Sequence, residues 1–294
     1  MTARPRNRDA FHVAVICALP LEFDAVHDSL DESWDQPGQS FGKAPGDPNL
    51  YVHGRIGGHP AVLTLLAGMG TSTAASAAAS MRSSYPHLRL AFVVGVCGAV
   101  PEDSRTRSDI SFGDVIISKY VVQYDFGRQN EDEFVRKTAV EDTLGRPTKE
   151  IRILNQFLET RVGCEQIERR TEEAVGSLRT KLEQTKHRGV YDAPEPTSRQ
   201  PAIHVGGFAS GNAVIKSATH RDRIAARDRV IGFEMEGAGV WDEMSSLIVK
   251  GVCDLADVNK QKEWQKYAAA TAASAAKVLL SYLGNNASEG EPIG

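Results

Sequence analysis

Short β-branched apolar runs alternate with stretches of helical spacing along most of this chain. His12 to Ala18 is such a run. Leu19 to Leu30 follows with apolar residues at helical spacing, so the first unit reads strand, turn, helix. Leu50 to Ile56 and Pro60 to Ala67 read as two strands joined at Gly57-Gly58, a hairpin signal. Gly68-Met69-Gly70 ends the second strand, and Thr71 to Met81 is a small-residue helix whose alanines allow close packing on a sheet. Leu88 to Val94 has the near-continuous apolarity of a central strand buried on both faces. Further strands are expected at Asp114 to Val122, Ala202 to Phe208, Arg229 to Phe233 and Leu247 to Gly251, and Trp264 to Tyr282 is a long alanine-rich helix. The stretch 128–199 differs. It is charged, helix-prone and punctuated by Pro147, Pro194 and Pro196, and reads as a helical and loop insertion, not a separate domain. Strands alternating with helices predict an α/β fold, a three-layer α/β/α arrangement around a mixed central sheet. One domain over 10–284 is expected, with 1–9 and 285–294 as flexible tails.

Composition narrows the class. The chain has 294 residues, 41% hydrophobic and 24% charged, as expected of a soluble globular protein. A net charge of −4 without a basic patch argues against a nucleic-acid partner. No apolar run reaches the ~18 residues that cross a membrane. The basic, polar start lacks the apolar core of a signal peptide. A cytoplasmic protein is the expectation. The cysteines, Cys17, Cys97, Cys164 and Cys253, form no CxxC pair and three lie in strand-like runs, so they read as reduced core thiols. No HExxH and no GxxxxGK[ST] occur, so neither a metal nor a nucleotide-cofactor site is expected.

The candidate chemistry sits where strands end. Phe233-Glu234-Met235-Glu236-Gly237 and Cys253-Asp254-Leu255-Ala256-Asp257 place acids beyond two apolar segments, which is where α/β folds build ligand sites. Buried carboxylates cost several kcal/mol unless paired or neutralised, so the set needs a reason, although any one acid alone also has a lesser reading as a wet helix cap. Glu234 and Glu236, two apart, share a face if extended. Asp254 and Asp257, three apart, are neighbours in a helical turn. One of each pair is free to serve structure while the other serves chemistry. Gly68-Met69-Gly70 opens a helix, either as a polar-group cradle or as a tight turn. Gly95-Val96-Cys97-Gly98-Ala99 reads as a close-approach site for a ligand or as a turn. Ala209-Ser210-Gly211-Asn212-Ala213 reads as a helix cap or a pocket wall.

Taken in order, Ala18-Leu-Pro-Leu-Glu22, Gly68-Met-Gly70, Gly95-Val-Cys-Gly98, Ser210-Gly-Asn212, Glu234-Met-Glu236 and Cys253-Asp254-Leu-Ala-Asp257 resemble the nucleoside phosphorylase and nucleosidase superfamily. The resemblance is nearest to its hydrolytic branch, typified by methylthioadenosine/S-adenosylhomocysteine nucleosidase, and to the fungal nucleosidase-like domains of NACHT- or repeat-containing receptors. It implies that Met235 and Glu236 bind the ribose, with Glu234 beside them, and that Asp254 protonates the purine leaving group. It implies that Glu22 holds the attacking water, that Phe208, Ser210 and Asn212 line the base pocket with Val96, Cys97 and Gly98, and that Trp264 covers the 5′ end of the sugar. It also implies a homodimer or higher homo-oligomer. For Asp254 to donate at neutral pH, burial should raise its pKa.

The same resemblance separates water from phosphate as nucleophile. Bacterial-type phosphorylases have arginines where this chain has Glu22 and Val93, and a serine where it has Val96. A carboxylate repels phosphate and valines offer no donors, so a hydrolase is expected. Adenosine is the first substrate to expect, with inosine and guanosine next. Leu19, Val96 and Asn212 depart from the hydrolase pattern too, which leaves the base and the 5′ substituent open. Two other readings stand beside the purine nucleosidase: a phosphate-dependent phosphorylase, and a non-catalytic nucleoside-sensing domain.

Overall fold

The computed structural model describes residues 4–35, 41–184, 189–194 and 200–284. Pro196 and the expected tail 285–294 lie outside the described residues. In chain order the elements are β1 (Val13–Cys17), α1 (Pro20–Asp28), β2 (Glu32–Ser33), β3 (Tyr51–Ile56), β4 (His59–Leu65), α2 (Thr71–Ser84), β5 (Leu90–Ala99), β6 (Glu102–Asp103) and β7 (Ser108–Asp109). They continue with β8 (Val115–Gln123), β9 (Gly127–Gln129), β10 (Phe134–Arg136), α3 (Lys149–Leu158), α4 (Arg161–Glu183), β11 (Ile203–Ser210), α5 (Ala218–Asp228), β12 (Val230–Glu234), α6 (Gly237–Glu243), β13 (Ser246–Asp254) and α7 (Trp264–Leu280).

Nine strands form one mixed sheet in the order β12-β11-β8-β13-β5-β1-β4-β3-β2. Its period-two alternation sorts side chains between two helical layers. Val13, Val15 and Cys17 of β1 join α1, α4 and α7 on one face, while Ala14 and Ile16 join α2 and α6 on the other. This is the three-layer arrangement that the alternation of strands and helices predicts. Most elements fall where the pattern puts them. Gly57 and Gly58 both have positive φ, 56° and 88°, the backbone of a two-residue hairpin turn between β3 and β4. Ala268 to Ala276 of α7 are buried throughout, so small side chains let this helix lie close on the sheet.

Three features go beyond the pattern. First, β5 does not stop at Val94 but continues through Gly95–Ala99, because β13 pairs along one edge and β12 reaches the other. Second, that β12 contact, Gly232 opposite Ala99 and Phe233 opposite Gly98, is antiparallel and closes β5, β13, β8, β11 and β12 into a ring. Third, α5 and α6 form from segments without a readable apolar stripe: α5 contributes Ile224 to the core with Ala225 half-buried against it, and α6 has 7 residues. Within 128–199, α3 and α4 put Ile151, Leu154, Leu158, Ile167, Leu178 and Leu182 into the same core cluster as α7.

Candidate active site

The strands β1, β5, β12 and β13 end at one cavity, the position where an open α/β sheet presents its carboxyl ends to a ligand. Glu22, Val96, Cys97, Gly98, Glu234, Met235, Glu236 and Asp254 all line it. Larger hollows lie between α1, α4 and α7 and beside α2 and α6. Neither gathers the strand-end acids, so size does not identify the site here.

Glu22 reaches the cavity through the start of α1. Pro20 opens that helix with its φ pre-set, and Glu22 turns back as the capping residue. Its Oε2 accepts from the N–H groups of Ala18 and Leu19, both at 2.9 Å, and Oε1 accepts from the N–H of Val96 at 2.8 Å. A Cβ at residue 95 would stand 2.1 Å from Oε1, so only glycine there lets the carboxylate lie on β5. Burial pushes the Glu22 carboxyl above its ordinary value, opposed by the charge of Lys250 and by the Val96 N–H.

The two glutamates between β12 and α6 divide their roles. Glu234 ends the strand, and its Oε2 accepts from the N–H of Glu236 at 2.9 Å and of Gly237 at 2.7 Å, satisfying donors at the start of α6. Burial raises its pKa, again opposed by Lys250. The chain bends into α6 at Glu236 (φ −115°, ψ −33°), so the two side chains do not share a face as an extended strand would have them. Glu236 Oε2 lies 3.0 Å from Lys250 Nζ, and both side chains are buried, 5% and 1% exposed. Desolvation by itself pushes an ammonium down. Glu236, Glu22 and Glu234 outweigh it, and Lys250 is held above its ordinary value and charged.

Asp254 closes β13 at the other end of the cavity. Its Oδ1 accepts from the N–H of Ala256 at 2.8 Å and from Lys260 Nζ at 2.6 Å, and Oδ2 lies 3.6 Å from Cys253 Sγ. Ala256 has a left-handed backbone, φ 50°, so this segment is no helical turn and Asp257 is not Asp254's neighbour on one face. Asp257 instead accepts from Asn259 N–H and lies off the cavity wall.

Four expected site residues are not brought to the cavity wall. Phe208 is wholly buried and its ring lies against the Gly232 backbone, inside the α2-side core. Ser210 Oγ accepts from the N–H of Ala238 at 2.9 Å. Asn212 Oδ1 accepts from the N–H of Thr71 at 2.9 Å, capping α2, whose own cap residue Gly70 has no side chain. Trp264 packs on Phe112 and Tyr267, with centroids 5.4 Å and 5.9 Å apart, and is 7% exposed. Met69 and Ala213, from two stretches read as a possible cradle and a possible pocket wall, do line the cavity, whereas sequence reasoning missed Lys250, Lys260, Tyr124, Val214 and Ile215, of which all but Lys250 line it. Lys250 had a readable signal, since it is the one charge within Leu247-Ile-Val-Lys250-Gly-Val252. A lysine in a buried strand requires carboxylate partners. The four cysteines are free thiols, three of them buried, and burial raises the pKa of both Cys97 and Cys253 at the wall. Among the described residues no cluster suited to a metal ion occurs, and no helix is long and apolar enough to cross a membrane.

Residues 12–283 match the family model described as the phosphorylase superfamily. A nucleotide-binding leucine-rich repeat (NLR)-like protein of Hyaloscypha variabilis is 33% identical over 296 residues, which covers 92% of this chain but 29% of that protein. The chain therefore spans less than a third of that relative. The 5′-methylthioadenosine/S-adenosylhomocysteine nucleosidase of Mycobacterium bovis is 26% identical over 286 residues, covering 93% of this chain and 97% of that one. In three dimensions the chain is similar to futalosine hydrolase of Helicobacter pylori, with a TM-score of 0.65 and 13% identity over 93% of this chain and 99% of the other. It is also similar to the 5′-methylthioadenosine/S-adenosylhomocysteine nucleosidase of S. pneumoniae, with a TM-score of 0.64 and 18% identity over 93% and 100%. At those identities the likeness of structures speaks to the fold alone.

Proposed function

Because the chain belongs to the phosphorylase superfamily, we propose that this cavity hydrolyses the N-glycosidic bond of purine ribonucleosides, giving free base and ribose. The observation that carries the reading is the convergence of Glu22, Glu236 and Asp254, from three separate strand ends, on one cavity. Cleaving the bond puts positive charge on the sugar and negative charge on the departing base. One carboxylate must steady the sugar, one must activate water, and an acidic group must meet the base. Glu236, fixed by Lys250, is suited to accept from ribose hydroxyls, with Met235 beside it. Glu22, fixed by three backbone donors, is suited to take a proton from water. Asp254 stands at the leaving-group end.

Water is favoured over phosphate because, among the described residues, those lining the cavity include no arginine and set three carboxylates, Glu22, Glu234 and Glu236, beside each other. Phosphate would meet repulsion there without a fork of donors. The relative named as a nucleosidase in M. bovis supports the same direction. The test is chromatography of reactions with adenosine, inosine, guanosine and methylthioadenosine, with and without phosphate. Free base plus ribose at equal rates in both buffers is expected, and the ranking identifies the preferred base and 5′ group. Release only with phosphate would make the protein a phosphorylase. Binding without release would favour a sensing domain, a reading to which the NLR-like relative lends its one support.

A further inference from the structure

We propose that the hollow between α1, α4 and α7 is a second ligand site, built for a small sugar phosphate. It lies apart from the strand-end cavity and shares no lining residue with it. Two helices face each other across it. From α7 come Ser274, Lys277 and Ser281, and from α4 come Ala174, Ser177 and Lys181, each set spaced as one helix face. The end of α1 and the Gly57-Gly58 turn close the other sides. Small side chains on the facing helices leave a volume of about 460 Å³, within the size of pockets that hold small organic ligands.

Hydrogen-bond donors are in excess there. Arg170 lays its guanidinium over Tyr282, 5.0 Å from the ring centroid, and makes no hydrogen bond or ion pair among the described residues. Its planar fork of N–H groups is therefore uncommitted. Lys181 Nζ donates to the carbonyl of Asp28 at 2.7 Å, one hydrogen of its three. Lys277 Nζ donates to the carbonyl of Ser29 at 2.9 Å and to Asp31 Oδ1 at 2.6 Å. The sharpest sign is Ser274. It is 1% exposed, it lines the hollow, and its Oγ has no hydrogen-bond partner among the described residues. Buried hydroxyls are normally paired. An open guanidinium fork with a buried hydroxyl and two ammonium groups nearby suits an anion with several acceptor oxygens.

The acids of the lining decide between a bare anion and a larger ligand. Glu173 Oε1 accepts from Arg169 at 2.6 Å, and its Oε2 has no partner among the described residues. Asp31 takes the Lys277 ammonium and the N–H of Gly58, at 3.3 Å. A bare phosphate would fill little of the volume and stand near these carboxylates. A sugar phosphate sets its phosphate on the donors and its hydroxyls on the carboxylates, as an acid takes ribose hydroxyls in dinucleotide sites.

Calorimetric titration of the whole chain with ribose 5-phosphate tests this, with ribose and inorganic phosphate as separate probes. Ribose 5-phosphate should bind with a Kd below about 1 mM, and each half alone at least about tenfold more weakly. Arg170→Met should weaken ribose 5-phosphate at least about tenfold, and Arg170→Lys, which keeps the charge without the fork, by less. Ser274→Ala should weaken it about threefold or more. Without ligand that variant should melt no lower than wild type, because no bond within the chain is lost. Melts of both Arg170 variants near wild type separate lost binding from lost folding. The absence of saturable binding would overturn the site. Unchanged binding in Arg170→Met would put the ligand elsewhere, the strand-end cavity included, and phosphate binding as tightly as ribose 5-phosphate would reduce the ligand to a bare anion; either result overturns the proposal. The titration needs no turnover, so failure of the nucleosidase reading does not touch it.

Discussion

Two lysine–carboxylate pairs bracket the cavity, and they are built in opposite ways. Lys250 and Glu236 lie 3.0 Å apart with both side chains buried, in contact with the centre of the sheet. Lys260 and Asp254 lie closer, at 2.6 Å, but are 23% and 12% exposed, the aspartate at the end of β13 and the lysine beyond it. Distance alone would rank the second pair as the stronger. Burial reverses the order, because water screens the outer pair while removal of either inner partner strands a charge in low dielectric. In the proposed hydrolysis the inner end is thus suited to hold the sugar and the attacking water rigidly, while the outer end stays open to proton exchange with solvent.

The sharpest way to break that contrast is at the outer end. Asp254→Asn should lower kcat by about 10²–10⁴-fold while leaving the melting temperature close to wild type; activity within tenfold of wild type would remove Asp254 from the chemistry. At the inner end the signs exchange. Lys250→Met should cost about 3–5 kcal/mol of stability in urea unfolding, because Glu236, Glu22 and Glu234 lose their counter-charge. Glu236→Ala should be destabilising as well as inactive for the reciprocal reason, and a variant that folds as firmly as wild type would show the pair to be dispensable. Phe208→Ala, in the α2-side core, should cost about 3–5 kcal/mol with KM unchanged; a raised KM at full stability would return Phe208 to the base pocket.

A pH profile sharpens the comparison further. Burial raises the Glu22 pKa, and a base acts only when ionised, so the acid limb of kcat should lie above the ordinary value of 4.5. The same raised value means that the fold favours the protonated group: that stabilisation is present below the unfolded pKa and is lost as pH rises through the folded one. A limb at or below 4.5 that vanishes in Glu22→Gln would contradict the burial argument. The smallest effect belongs to Asn212→Ala, which removes the cap of α2 and should cost about 1 kcal/mol with kcat/KM unaffected.

Much of the site was legible because the acids stand next to structure that the pattern predicts well. Glu22 follows the first strand, Glu236 the short one before α6, and Asp254 the last, and all three reach the same cavity. Phe208, Ser210, Asn212 and Trp264 were less legible, since a residue near a strand end or helix start serves a pocket or the core according to what packs across from it. Lys260 was invisible to strand periodicity because it lies in a segment with none.

By itself the sequence determined the alternation of strands and helices, the sorting of β1 side chains between two layers, and the identity of the acids at the strand ends. All are local matters of period and position. Only the tertiary structure decided that β12 closes onto β5, that Glu234 holds α6 while Glu236 holds Lys250, and that Asn212 caps a helix 141 residues away. Those outcomes depend on pairings between distant segments. A period of two says which face a side chain takes but not which neighbour meets it there, and the neighbour sets burial, charge and chemical role.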